Sequence, residues 1–446
     1  MRLRLPHPLV LLLAGVAMAA ALTWWLPAGV YDRREDPVTG RQVVVPGTYH
    51  QVEGAPVGPF AALVAIPRGF VEAAEVIATV VFVGGAWVVV ERTGTLARIV
   101  GALVAVFRRR GLLAIPAIAA FFALMGALEN MQEEIIPLVP VLMLLGRGLR
   151  VDAITVVAMS AGAAMIGSAF GPTNPFQAGI AMKLAQLPPV SGGGLRLGML
   201  LAAFVLWVAW TMRHAARTRI AAAGAEGAGE GPSAPLPARD LVIFLLVLAP
   251  MAAYVYGAME LGWGFNELSA GFIVGGIAAG LIGRLGLEGT VSAYLEGMQS
   301  LLPAAVLIGM ARSISVVLGD GQVIDTILSN LAAPLSQATG LGAALLMIPF
   351  HAIIHVLVPS VSGQAVLTMP LLVPLSDLLG ISRQVTVLAY QTGAGLTELL
   401  TPTNGALMAV LLAAGVPFSR WLRFATVGVV LALLVGIAGI IVAMAM

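Results

Sequence analysis

The stretch Phe424 to Met444, FATVGVVLALLVGIAGIIVAM, runs for 21 residues without a charge. A helix needs about 20 such residues to cross the roughly 30 Å hydrocarbon core of a bilayer. Comparable apolar runs cover Leu9 to Trp24, Leu197 to Met212 and Leu241 to Tyr256. Charged residues make up 10% of the chain and hydrophobic residues 59%, whereas a soluble domain carries about 25% charge. The fold class is therefore an all-α polytopic membrane protein, with the lipid bilayer as its first partner. The run at Leu9 is followed by Trp24, Trp25, Leu26 and Pro27 rather than by a small-residue cleavage site, so it is expected to remain as the first helix.

Two segments interrupt this pattern. GPTNPFQAGIA at Gly171 to Ala181 and TPTNGALMA at Thr401 to Ala409 place Pro, Thr and Asn where an unbroken helix would be expected. Unwound backbone at membrane depth leaves peptide N–H and C=O groups unpaired unless protein, ion or water satisfies them. A 230-residue shift lays Pro172, Thr173 and Asn174 on Pro402, Thr403 and Asn404, Pro140 on Pro370, and GALENMQEE (Gly126 to Glu134) on VLVPSVSGQ (Val356 to Gln364). The chain thus reads as two copies of one unit. Its expected divisions are a first helix and external loop (1–68), a first repeat (69–212), a cytoplasmic linker (213–239), two scaffold helices (240–295) and a second repeat (296–446).

Arginine placement orients these units, because cytoplasmic loops are enriched in Lys and Arg. Arg2 and Arg4 set the N-terminus in the cytoplasm. Arg108, Arg109 and Arg110 before Leu112 to Leu128, with Arg147 and Arg150 after Ile135 to Leu145, put both ends of that segment on the cytoplasmic side. A re-entrant hairpin with ENMQEE (Glu129 to Glu134) at its tip satisfies both ends, and Leu96 to Phe107 is expected to lie in the interface. A second hairpin, Gly340 to Leu379 with tip PSVSGQ (Pro359 to Gln364), enters from outside. The total is about nine crossings plus two hairpins, the repeats are inverted, and the C-terminus lies outside. Arg33, Arg34, Arg41 and Arg68 fall outside, against the rule.

Broken helices offer carbonyls to a cation and half-helix N-termini to an anion. Asn130, Thr173 and Asn174 in the first half, and Ser360, Ser362, Gln364, Thr403 and Asn404 in the second, are the candidate substrate-binding residues. Arg312, alone in AAVLIGMARSISVV, is placed with them, to hold a substrate carboxylate or to pair with an acid. Glu129, Glu133 and Glu134 crowd the first tip and cannot all be charged together. They are expected to serve ion or proton coupling, with Glu398 one turn before the second break and with Gly171 and Thr401, which open the two breaks. The first tip is acidic and the second neutral, which suits a zwitterion or a cation and anion together.

Other classes are weaker. There is no cysteine, so disulfides and thiol chemistry are excluded. The net charge of +2 comes from arginines at helix ends, and no basic face exists to grip nucleic acid. SGGGLRLG at Ser191 to Gly198 lacks the lysine of a phosphate loop. His351 and His355 stand four apart without an HExxH pattern, so helix–helix hydrogen bonding is expected rather than a metal site, with proton handling as the lesser alternative. No convergent nucleophile set marks an enzyme, and no cofactor is expected beyond Na+ as a coupling ion. A small-molecule secondary transporter is the leading reading, an ion channel a remote one.

Several stretches carry a family resemblance: WWLPAGVYDRR (Trp24 to Arg34), VVVPGTYHQV (Val43 to Val52), IPRGFVEAAEVI (Ile66 to Ile77), FVGGAWVVVERTG (Phe82 to Gly94), GMARSISVVLGDGQVIDTIL (Gly309 to Leu328) and PSVSGQAVLTMPLLVPLSDLLGISRQ (Pro359 to Gln384). Together they resemble the YfcC-like branch of the C4-dicarboxylate anaerobic carrier (DcuC) family, within the ion transporter superfamily. The resemblance implies a bacterial inner-membrane carrier, commonly a homodimer, whose hairpins and broken helices move as an elevator against a scaffold. It carries substrate and Na+ positions onto Asn130, Thr173 and Asn174, and onto Ser362, Thr403 and Asn404. The chain departs from the branch at QTGAGLTE, where Ala394 replaces an expected aspartate and Glu398 an expected asparagine, and at the extra acid of ENMQEE. An altered coupling ion or cargo is expected to follow, so C4-dicarboxylates and amino acids both remain open as cargo, and exchange without obligatory ion coupling stands as the alternative mode.

Overall fold

The computed structural model describes residues 7–37, 42–99, 102, 113–188, 190–218, 237–338 and 340–446. Among these, eight helices are long and apolar enough to cross a membrane: Ala74–Arg92, Ala153–Phe170, Gly193–Arg217, Phe265–Ile282, Leu302–Asp320, Gly340–Leu357, Val361–Leu378 and Phe418–Ala445. The helices Pro8–Trp25, Ala114–Glu129, Val139–Leu149 and Ala238–Glu260 add further apolar length. Most of the interfacial segment expected at Leu96 to Phe107, the arginines 108 to 110 and most of the linker lie outside the described residues.

Both hairpins form at the expected places. Ala114–Glu129 ends at Asn130, whose φ of 61° lies in the left-handed region that asparagine tolerates better than most residues. The chain then turns through a tight helical stretch, Glu133–Leu138, into Val139–Leu149. The second hairpin joins Gly340–Leu357 to Val361–Leu378, and Ser360 caps the second arm by accepting from the Gly363 amide at 3.2 Å. Each hairpin is followed by a helix that stops and restarts: Phe170 to Pro175 in the first half, Thr397 to Gly405 in the second.

Three helices were not expected, one of them Ile324–Gln337. Of the other two, Pro59–Glu72 begins within the segment read as external loop, and Gly286–Ser300 falls at the end of the scaffold segment. Proline, arginine and glutamate in the former and seven polar or charged residues in the latter hide both from a search for long apolar runs. Each of these two precedes a long helix, Ala74–Arg92 and Leu302–Asp320, so the order of elements agrees in the two halves.

Two of the arginines expected outside find partners. Arg33 donates to both carboxylate oxygens of Asp325 at 2.9 Å, beside a short antiparallel ladder of Arg33–Glu35 with Gln42–Val44. Arg68 donates to Asp320 at 3.0 Å. Arg41 lies outside the described residues.

Close backbone contact joins each hairpin to its broken helix. A Cβ at Gly126 would fall on the carbonyl oxygen of Ala164, one at Gly167 on that of Ala123, and one at Gly393 on that of Ile348. Overpacking a rigid contact costs about 1–3 kcal/mol. Gly126→Val is therefore expected to lower the thermal unfolding midpoint of the purified protein, whereas Gly198→Ala, which meets no atom within 4 Å, leaves it unchanged. Equal midpoints for the two variants contradict this packing.

Candidate functional site

Each restart is capped by an asparagine. Asn174 Oδ1 accepts from the amides of Phe176 and Gln177 at 3.0 and 2.9 Å, and Asn404 Oδ1 accepts from the Leu407 amide at 3.0 Å. Such caps satisfy donors that the first turn of a helix leaves unpaired. With the oxygen so engaged, the amide nitrogen of each asparagine points back toward a hairpin. Asn174 Nδ2 lies 3.2 Å from Gly126 O, 3.2 Å from Asn130 Oδ1 and 3.0 Å from Ser168 Oγ. Asn404 Nδ2 donates instead to Gln132 Oε1 at 3.2 Å, at the tip of the first hairpin. Gln132 Nε2 in turn donates to Glu398 Oε2 at 2.6 Å. A hairpin of the first half is thereby tied to the broken helix of the second.

The exposed carbonyls of the first break are also taken. Gln391 Nε2 donates to Gly171 O at 3.2 Å, and Arg196 Nε to Gln391 Oε1 at 2.7 Å. Gly171, expected to face a coupling ion, spends its carbonyl on this side chain because an unpaired C=O in an apolar interior is costly. Gln391, which precedes the second break in the same helix, thus serves the first. Thr173 donates to Ala127 O at 3.1 Å, and Thr401 pairs with Thr403 at 2.7 Å.

Between the tips and the second break lies a cavity of 320 Å³. It brings together Asn130, Glu133 and Glu134 of the first tip, Ser360 and Ser362 of the second, and Glu398, Thr403 and Asn404 of the second break. Across it stand Arg312 and Glu72, paired at 2.9 Å. Of the two roles the sequence allowed for Arg312, the pairing with an acid is seen, and the residue also lines the cavity. Glu134 Oε2 accepts from the Gln132 amide at 3.1 Å, which holds the tip in its turn.

Of the expected residues, Gly171, Thr173, Asn174 and Thr401 do not line this cavity but brace the breaks. Gln364 is corrected more sharply. It is fully buried, with its amide donating to His351 O at 2.8 Å and its carbonyl facing His355 Nδ1 at 2.9 Å. Two helical steps turn a side chain by about 200°, so when Ser362 faces the cavity Gln364 must face away. Glu129 closes its helix, and its side chain lies outside the described residues. Gln132, Glu72 and Phe176 line the cavity without having been singled out as binding residues. The signal for Gln132 was present in ENMQEE, where it is the one uncharged amide beside two acids. Glu72 had a weaker one, an acid between apolar neighbours in GFVEAAEV.

Comparison with known proteins gives the family. A family model described as C4-dicarboxylate anaerobic carrier matches residues 5–445. A protein of Escherichia coli (strain K12) named "Putative basic amino acid antiporter YfcC" is 31% identical over 470 aligned positions, covering 95% of this chain and 93% of that one. An uncharacterized protein of Haemophilus influenzae is 27% identical, covering 94% and 93%. The solved structure of Neisseria gonorrhoeae MtrF covers 98% of this chain and 94% of its own, at 17% identity and a TM-score of 0.47. By the match of nearly its whole length, the chain belongs to the C4-dicarboxylate anaerobic carrier (DcuC) family of membrane transporters.

Proposed function

We propose that the cavity binds a cationic amino acid and that the protein is a secondary carrier for it, coupled to a Na+ or H+ gradient. The observation that carries this reading is the charge of the wall. Glu72 is balanced by Arg312, while Glu133, Glu134 and Glu398 face the same space without a second lining cation among the described residues. With two of those three acids neutral, the balance still favours a positive cargo. Like charges about 4 Å apart repel by about 4 kcal/mol at an effective dielectric of 20, so a dianionic C4-dicarboxylate fits this wall poorly. Arg312 can receive the single carboxylate of an amino acid, and Ser360, Ser362, Thr403, Asn130 and Asn404 supply neutral donors and acceptors around it. The printed name of the Escherichia coli relative points the same way.

Coupling is assigned to the carboxylates of Glu133, Glu134 and Glu398. The two halves act as inverted repeats that expose the cavity to each side in turn, with the hairpins and broken helices moving as an elevator against the scaffold. The carrier works as a homodimer in the bacterial inner membrane, N-terminus in the cytoplasm and C-terminus outside. Ser168 with Asn130 and Asn174 keeps the first break rigid during that movement, as their mutual hydrogen bonds suggest.

In proteoliposomes, with Na+ and pH varied independently, L-arginine or L-lysine is expected to enter at least about tenfold faster than succinate or fumarate, a difference of about 1.4 kcal/mol. Preference for the dicarboxylates overturns the cargo assignment. Uptake indifferent to both gradients but dependent on internal amino acid establishes exchange without ion coupling instead. Asn174→Ala and Asn404→Ala each remove a cap worth about 1 kcal/mol and are expected to abolish most uptake while the protein still inserts. Normal transport by both variants rules out the broken helices as the working parts of the site.

A further inference from the structure

His355 presents a fully buried Nε2 with no hydrogen-bond partner, 3.9 Å from Glu398 Oε1. Its protonation state follows from the surrounding bonds. The atom of Gln364 lying 2.8 Å from the His351 carbonyl must be the amide nitrogen, because a backbone carbonyl only accepts. The Gln364 oxygen is then the atom 2.9 Å from His355 Nδ1, so Nδ1 carries the hydrogen and donates. In the neutral ring, Nε2 is left as a bare acceptor aimed at a carboxyl group.

The other side of Glu398 is fixed by the same logic from a different anchor. The Leu407 amide binds Asn404 Oδ1, so Asn404 Nδ2 donates to Gln132 Oε1, and Gln132 Nε2 donates to Glu398 Oε2. Two chains of oriented groups, one starting at a carbonyl in the second hairpin and one at an amide after the second break, converge on a single carboxyl. They leave one proton position, between Glu398 Oε1 and His355 Nε2. Glu398 also lines the cavity, so water there can deliver the proton.

We infer that Glu398 and His355 form a site for one transported proton, and that loading it loosens the bond from the first hairpin tip to the second broken helix. With the ring neutral and the carboxylate ionised the pair carries one negative charge; one proton, held on Glu398 and shared toward His355 Nε2, makes it neutral. The Gln132 bond to Glu398 is charge-assisted only in the ionised state, and such bonds are about twice as strong as neutral ones. A bound proton therefore both cancels the attraction for a cationic cargo and slackens the clasp between the halves. Other titratable groups surround the pair: Glu133 and Glu134 from the first tip, Tyr390 on the same helix as Glu398, His351 one turn from His355, and the Arg312–Glu72 pair across the cavity. The last helix contributes Trp421, whose indole donates to Leu399 O at 2.9 Å.

This inference rests on reading the cavity as a transport site but not on the identity of the cargo, and its test needs no cargo. Infrared difference spectra of the reconstituted protein, recorded as pH is stepped, are expected to show a protonated-carboxyl carbonyl band. The isosteric Glu398→Gln variant should lose one component of that band while those of Glu133 and Glu134 remain, and His355→Gln should move the midpoint of that component by about one pH unit, the equivalent of one buried hydrogen bond. Should His355→Gln fail to assemble, Gln364→Leu removes the acceptor that fixes the ring and should move the same midpoint. A band unchanged in every component in Glu398→Gln, or a midpoint indifferent to the change at His355 or Gln364, overturns the assignment. Arginine uptake that fails while this titration succeeds overturns only the choice of cargo.

Discussion

Everything about this site depends on the requirement that a peptide group inside a membrane be hydrogen-bonded. Two helices stop in mid-course, and each stop exposes amides and carbonyls that must be answered by side chains. Asn174 and Asn404 answer the amides, and Gln391 answers a carbonyl. Because the carboxamide has a donor end and an acceptor end, fixing one end on the backbone orients the other. At Asn404 that free end reaches Gln132, and through it Glu398, so a local repair becomes a link between the two halves. The functional geometry grows out of the cost of unwinding.

The two halves share an order of elements but not a chemistry. The first break is closed upon itself, with Ser168, Asn130 and Asn174 bound to one another and Gln391 filling its carbonyls. The second break opens onto the cavity, where Glu398, Thr403 and Asn404 meet both hairpin tips. One break is therefore closed and the other is open to the cavity. The same asymmetry appears in the tips, where the first brings carboxylates and the second brings hydroxyls, and in the wall opposite, where Glu72 and Arg312 hold each other in check.

Much of this was legible in the sequence because it is written in apolar length and in prolines. Gly340 to Leu379 reads as a hairpin and forms one, and each PTN tripeptide ends at the residue before the helix restarts, at Pro175 and at Gly405. What could not be read is the direction in which a polar side chain turns. Gln364 and Ser362 stand two residues apart in one tip, yet one packs against histidines and the other faces the cavity. Glu72 was hidden because its helix carries too much polarity to look like a membrane element, and Gln132 because its partners lie 266 and 272 positions away. Periodicity finds the elements, while the pairing between distant elements has no local signature.

The central claim is that Gln132 and Asn404, one from each half, close a single shared site. A double-mutant cycle on unfolding in detergent measures that link directly, without need of a cargo. If the account holds, Gln132→Ala and Asn404→Ala are coupled by about 1 kcal/mol or more. Effects that add to within about 0.3–0.5 kcal/mol, the behaviour of independent sites, would contradict it.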